Sequence, residues 1–244
     1  DWLTQGPTIE RFEQSLAEYV GAKHAVAFSS GTAALHGAAW SSGLGPGDRA
    51  FTSPLTFMAT PNAARYVGAK PVFADVRDDT LTIDPTNAAA LITPRTKAII
   101  AVDYGGFPAD YDELRAVADQ HGLLLVTDAC HAPGASYRGR RVGSIADMST
   151  FSFHPVKHLT TGEGGMVTTN DAELAQVMRQ MRDYGKGLDG YDMAFIGLNA
   201  RQSEFHAAVG LAGLRHLDAY MGHRLKMIAL YRELLAGLPG VTFQ

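Results

Sequence analysis

Apolar residues recur at helical spacing from the start of the chain. Ile9, Phe12, Leu16 and Tyr19 fall on one face after Thr8, a candidate N-cap, and the pattern stops at Gly21, so the spacing predicts a helix over 8–20. The period then shortens. β-Branched-rich runs at 24–28, 49–52, 70–74, 97–102 and 123–127 alternate with longer helical or turn-rich segments. That alternation predicts an α/β fold, a mostly parallel sheet with helices on both faces. Two further runs, 148–153 and 165–169, are separated by the turn Gly162-Glu163-Gly164-Gly165. They form a hairpin-like pair, which makes the sheet mixed. From Asp171 the pattern is helical, with Leu174, Val177, Met178 and Met181 on one face; a Gly-rich loop at 185–197 follows, then helices to about Leu238. No internal repeat or low-complexity tract interrupts this order.

Composition narrows the partners. The 21 Lys+Arg and 25 Asp+Glu are scattered and sum to a formal charge of -4, so no basic face is available to a nucleic-acid backbone. No apolar run approaches the roughly 20 residues of a membrane span, and no signal-peptide pattern opens the chain. A single cysteine, Cys130, has no intramolecular disulfide partner, which fits a reducing, cytoplasmic setting. The chain opens at Asp1 without an initiator Met and stops soon after a long helical pattern, as expected of part of a longer polypeptide.

In open α/β sheets ligands bind outside the carboxyl ends of the strands, so the residues after each predicted strand carry the chemistry. Ser29-Ser30-Gly31-Thr32 follows the first run and opens a helix; its hydroxyls and free N–H groups suit a phosphate, although such a segment alone is often only a capping turn. Ser53-Pro54-Leu55-Thr56-Phe57 follows the second. Alone, Phe57 reads as a core residue opening a helix over 57–67; beside a phosphate turn it offers a stacking face. Asp128 follows the apolar run 123–127, where an unpaired carboxylate is costly and calls for a cationic partner: a pyridinium, a metal, an Arg, or else a helix cap. His154-Pro155-Val156-Lys157-His158 follows the run 148–153. Most lysines are solvated surface charges, but Lys157 lies between a strand and a Gly-rich turn among apolar, hydroxyl and imidazole neighbours, with no acid beside it. A phosphate turn, a stacking ring, a carboxylate for a pyridine nitrogen and a lysine for an aldehyde together select pyridoxal 5′-phosphate (PLP).

The segments 29–35, 128–131, 151–157, 162–165 and 197–201 together resemble the DegT/DnrJ/EryC1/StrS family of sugar aminotransferases, and the likeness runs over essentially the whole chain. Its most specific stretches are Thr127-Asp128-Ala129-Cys130-His131, Ser149-Thr150-Phe151-Ser152-Phe153-His154-Pro155-Val156-Lys157 and Thr160-Thr161-Gly162-Glu163-Gly164-Gly165. The resemblance implies a fold-type-I PLP-dependent transferase working as a homodimer with shared active sites. It implies Lys157 as the Schiff-base lysine, Asp128 at the pyridine nitrogen, and Gly31, Thr32 and Ser152 at the phosphate. It further implies Phe57 as the stacking ring, His131 near the 3-oxygen, and Asn199 reaching the neighbouring subunit's phosphate. Retention of Lys157 points to transamination, with glutamate as the family's usual donor and a nucleotide-linked keto sugar as acceptor. Val102-Asp103-Tyr104-Gly105-Gly106 and the residues around Lys157 look most like members acting on UDP-linked 4-keto-6-deoxy-hexosamines, as in the pseudaminic acid pathway; a 3-keto sugar is the alternative. Family members continue into a small C-terminal domain. Residues 1–215 are thus expected to form the PLP-binding large domain and 216–244 a linking helix towards a small domain largely absent from this chain.

Two readings from other classes compete. His131, His154 and His158 suggest ligands of a metal-dependent hydrolase, but Pro155 breaks the helical spacing and the Glu of a His-Glu-x-x-His pattern is missing, so no metal is expected. The second is a PLP-binding remnant without turnover.

Overall fold

The computed structural model describes residues 2–187 and 190–244. Helix α1 (Pro7–Val20) buries Ile9, Phe12 and Leu16 of the predicted stripe, while Tyr19 is half-buried and Val20 is buried beside it. Its start differs from expectation. Thr8 is not the cap: Gly6 occupies that position without a capping side chain, and the Glu204 carboxylate, distant in sequence, accepts from the N–H groups of Gly6, Thr8 and Ile9 at 3.0, 2.9 and 3.1 Å. A borrowed carboxylate satisfies orphan donors and meets the positive end of the helix dipole.

The chain then alternates through β1 (His24–Phe28), α2 (Gly31–Ser41), β2 (Arg49–Thr52), α3 (Ala59–Tyr66), β3 (Lys70–Phe73), α4 (Pro85–Ala90), β4 (Thr96–Val102), α5 (Tyr111–His121) and β5 (Leu124–Asp128). A two-stranded ribbon, β6 (Ser136–Tyr137) and β7 (Arg140–Arg141), precedes β8 (Met148–Ser152) and β9 (Gly165–Thr169). Helices α6 (Ala172–Arg182), α7 (Glu204–Leu214) and α8 (Leu217–Leu235) complete the order. The Gly-rich loop expected over 185–197 includes residues 188 and 189, which lie outside the described residues.

The strands form one mixed sheet of seven, ordered β1-β9-β8-β5-β4-β2-β3. β9 runs antiparallel to both β1 and β8, and the remaining pairs are parallel. Alternating side chains feed two cores. Ile99, Leu125 and Phe151 pack with α1, α5 and α7 on one face, while Ile100, Val126 and Met148 pack with α2, α3 and α6 on the other.

Two boundaries differ from the sequence reading. The helix expected over 57–67 begins at Ala59, because residues 53–58 are taken up in turns, with the Thr56 N–H bonded to the Pro54 carbonyl and the Thr60 N–H to that of Phe57. Asp128 is the last residue of β5 rather than the residue after it: it pairs with Val102 on β4 and with Thr150 on β8, which fixes its backbone from both sides.

Candidate active site

The carboxyl ends of β1, β4, β5 and β8 open into one cavity of about 500 Å³. Gly31, Thr32, Phe57, Asp128, His131, Ser152 and Lys157 line it together, joined by Thr56, Asp103, Tyr104, Cys130, His154 and Glu163. Asn199 does not. It is exposed, paired with Asp183 in an isolated bridge, and accepts a hydrogen bond from Arg201 Nε at 3.2 Å.

At one end stands the first turn of α2, capped by Ser30 Oγ, which accepts from the Ala33 N–H at 3.1 Å. The first-turn N–H groups of Gly31 and Thr32 have no intrahelical acceptor, which makes the turn an anion cradle. Ser152, buried at the end of β8, presses against it. A Cβ on Gly31 would lie 2.7 Å from the Ser152 Cβ, so only glycine lets the helix start and the strand end meet. Gly165 plays the same part behind them: its Cβ would lie 2.3 Å from the Ser30 carbonyl oxygen.

At the far end is Asp128, 6% exposed. Its Oδ2 accepts from Thr60 Oγ1 at 2.5 Å and its Oδ1 from the Cys130 N–H at 3.2 Å; Thr60 is itself 2.7 Å from Thr56 Oγ1. The sequence reading missed this hydroxyl chain. The buried carboxylate makes no ion pair among the described residues, which leaves room for a cationic partner in the cavity.

Lys157 projects from the connection between β8 and β9, its N–H turned onto the His154 carbonyl at 2.9 Å. It is half-buried and makes no salt bridge among the described residues. Its charge is felt nearby: burial first and Lys157 second lower the pKa of His131. His158 is pushed down to about 4, by burial and then by Arg224, His131 and Lys157. Both imidazoles are therefore neutral at pH 7. Phe57 lines the cavity with its ring 68% exposed, an open face rather than the core residue that its segment alone suggests. Among the described residues no group of three or more His, Cys, Asp or Glu is disposed to hold a metal ion, and no helix is long and apolar enough to cross a membrane.

Asp103 is a second residue that the sequence reading passed over. It follows β4 and is 0% exposed; its Oδ1 accepts from the Ala109 N–H at 2.9 Å and its Oδ2 from the Tyr111 hydroxyl at 2.8 Å. The strand-end rule applied to the run 97–102 finds it.

These groups fit PLP. The glycine cradle with Ser152 suits the phosphate, Asp128 the protonated ring nitrogen, Phe57 the ring face and Lys157 the aldehyde.

The comparisons agree. GDP-perosamine synthase from Caulobacter vibrioides is 44% identical over 97% of this chain and 64% of its own length. Among solved structures, DesV of S. venezuelae in complex with a ketimine intermediate superposes with a TM-score of 0.95 at 42% identity, covering 99% of this chain and 66% of that one. PseC of Helicobacter pylori, an aminotransferase involved in the biosynthesis of pseudoaminic acid, gives 0.91 at 34% identity over 98% and 66%. The chain thus spans about 64% of the length of the curated relatives it matches. Solved relatives include a PLP form and a PMP form of a sugar aminotransferase. A model of the DegT/DnrJ/EryC1/StrS aminotransferase family matches residues 1–244, and the chain belongs to that PLP-dependent family.

Proposed function

We propose that the protein transfers an amino group from glutamate to a nucleotide-linked 4-keto-6-deoxy sugar. The observation that carries the reading is the convergence of Lys157, Asp128, Phe57 and the Gly31–Thr32–Ser152 cradle on one cavity. Bound there, PLP supplies an electron sink that makes a proton on the substrate's amino-bearing carbon labile.

The chain's own residues do the rest. The first turn of α2 and Ser152 hold the phosphate and set the depth of the ring. Asp128, held by Thr60 and the Cys130 N–H, keeps the ring nitrogen protonated. The Lys157 amine, released when substrate arrives, takes the labile proton from one carbon and returns it to another. His131 lines the same cavity, and in this reading its neutral imidazole serves the cofactor's 3-oxygen as a hydrogen-bond partner without adding charge.

Among the described residues Lys157 is the one Lys or Arg lining the cavity, so a phosphate and the carboxylates of glutamate need further donors. We assign one to Asn199 of a second copy in a homodimer with shared sites; its exposure on this chain supports that role. Residues 1–215 act as the cofactor-binding domain, and 216–244 lead towards a small C-terminal domain. Within α8 only Leu217 is buried, which supports a helix that serves another surface. The setting is cytoplasmic, in keeping with the unpaired Cys130.

The 4-keto reading rests on the resemblance around 102–106 and Lys157 and on the likeness to PseC. The test is borohydride reduction of the PLP-loaded protein followed by peptide mass mapping, then assay of UDP-, GDP- and dTDP-linked 3-keto and 4-keto sugars with glutamate. Covalent cofactor on Lys157, none in Lys157→Ala, and turnover of a 4-keto sugar are expected. Turnover of 3-keto sugars alone overturns the regiochemistry, and labelling without any turnover favours a binding remnant.

A further inference from the structure

Behind the cavity floor lies a buried polar ladder that the chemistry above does not use. Asp103 accepts from Tyr111 and Ala109; Thr127 Oγ1 donates to Ser149 Oγ at 2.9 Å; and Thr168 Oγ1 donates to the Gly143 carbonyl at 2.7 Å. Asp103, Thr127, Ser149 and Thr168 are each 0% exposed, and they follow or occupy four adjacent strands, β4, β5, β8 and β9. Fully buried polar groups are tolerated at such density only when they are satisfied, so a ladder of this kind fixes the strands' relative height.

Its one ionisable acid stands beside Asp128. The Asp103 N–H donates to the Asp128 carbonyl at 3.0 Å, and the Asp103 carboxyl, which lines the same cavity, is clamped at both oxygens. We propose that Asp103 is a positioning residue for Asp128: held by Tyr111 and Ala109, it secures the Asp128 backbone and sets a second carboxyl beside the one that faces the ring nitrogen. The inference rests on the reading of Asp128 given above.

The groups that face Asp103 are Tyr111 from α5 and Asp128 from β5, and the cavity it lines also holds His131 and Lys157. Burial pushes the Asp103 carboxyl up to about 7; the hydrogen bonds from Ala109 and Tyr111 oppose this, and the charge of Asp128 adds to it. The second carboxyl is therefore neutral below that pH and charged above it. Its charge attracts a protonated pyridine ring only in the charged state.

The experiment measures binding of pyridoxamine 5′-phosphate, which needs no bond to Lys157, to the wild-type protein, Asp103→Asn and Tyr111→Phe across pH 5.5–8.5. The ratio of affinities, wild type over Asp103→Asn, cancels the titrations the two share. It is expected to rise through pH 7 by about three- to tenfold, the size of one screened charge interaction. In Tyr111→Phe, which keeps the carboxyl but loses one donor to it, the step persists and moves to higher pH. A ratio that stays flat while the wild type binds overturns the proposal and leaves the site reading intact. No binding by the wild type overturns both. Apo-protein melting curves verify that the variants are folded.

Discussion

Asp128 shows how much of a buried carboxylate's setting is decided by side chains brought to it from other elements. Its Oδ2 depends on Thr60, a buried hydroxyl on the neighbouring helix. Replacing it by the near-isosteric valine leaves a buried carboxylate oxygen without its donor. Thr60→Val is expected to cost about 1.5–3 kcal/mol in urea unfolding, the worth of a hydrogen bond to a charged group, while Thr60→Ser stays within about 1 kcal/mol. The same residue marks where sequence reasoning stopped. Lys157 and Asp128 are legible because strand ends and a Gly-rich turn put them in a place where isolated charges are costly. Thr60 is not, because a threonine in the first turn of a helix reads like any other and only the tertiary crossing aims it at β5. Asp103 was within reach: it follows an apolar run as Asp128 does. Its partner Tyr111, at the start of α5, reads simply as an apolar helix position.

At the scale of elements, the apolar runs placed the seven strands of the main sheet within a residue or so, because buried strands leave continuous apolar runs, whereas the two-residue strands β6 and β7 carry no such run and were not predicted. Caps were less legible. Thr8 has the chemistry of an N-cap, yet the α1 terminus is served by Glu204 from α7, a pairing that exists only once the two helices pack. Burial pushes the Glu204 carboxyl up, but hydrogen bonds from Thr8, Ile9 and Gly6 outweigh it and hold the group below the usual glutamate range. A lowered folded-state pKa contributes stability above the unfolded value, about 4.5, that is lost as pH falls through the folded one. Glu204→Gln is therefore expected to lower stability by about 1–3 kcal/mol at pH 7, and the deficit should shrink as pH falls below about 4, as chemical denaturation at each pH will show.

For the whole molecule, the two cores on opposite faces of the sheet are self-sufficient with respect to α8. Of that helix only Leu217 is buried and Met221 packs partly against the core, while Tyr220, Leu225, Ile228, Tyr231 and Leu234 are exposed. Deletion of 222–244 is expected to leave a cooperative unfolding transition with its midpoint lowered by no more than about 4 °C, a shift that corresponds to roughly 1 kcal/mol or slightly more at this size. A midpoint drop several times larger would show that the helix belongs to the core.

The antiparallel strand β9 links the timing of folding to the site. Phe28 pairs with Gly165, so the turn over 29–32 that follows β1 is fixed by a strand made far later in the chain, and Lys157 lies in the segment just before that strand. Contacts so distant in sequence form slowly and late. During synthesis, then, the first strands and their helices can assemble while the cofactor has nowhere to settle. The cavity is complete only once β9 lies between β1 and β8, and a ligand of the finished cavity draws the folding equilibrium forward by mass action.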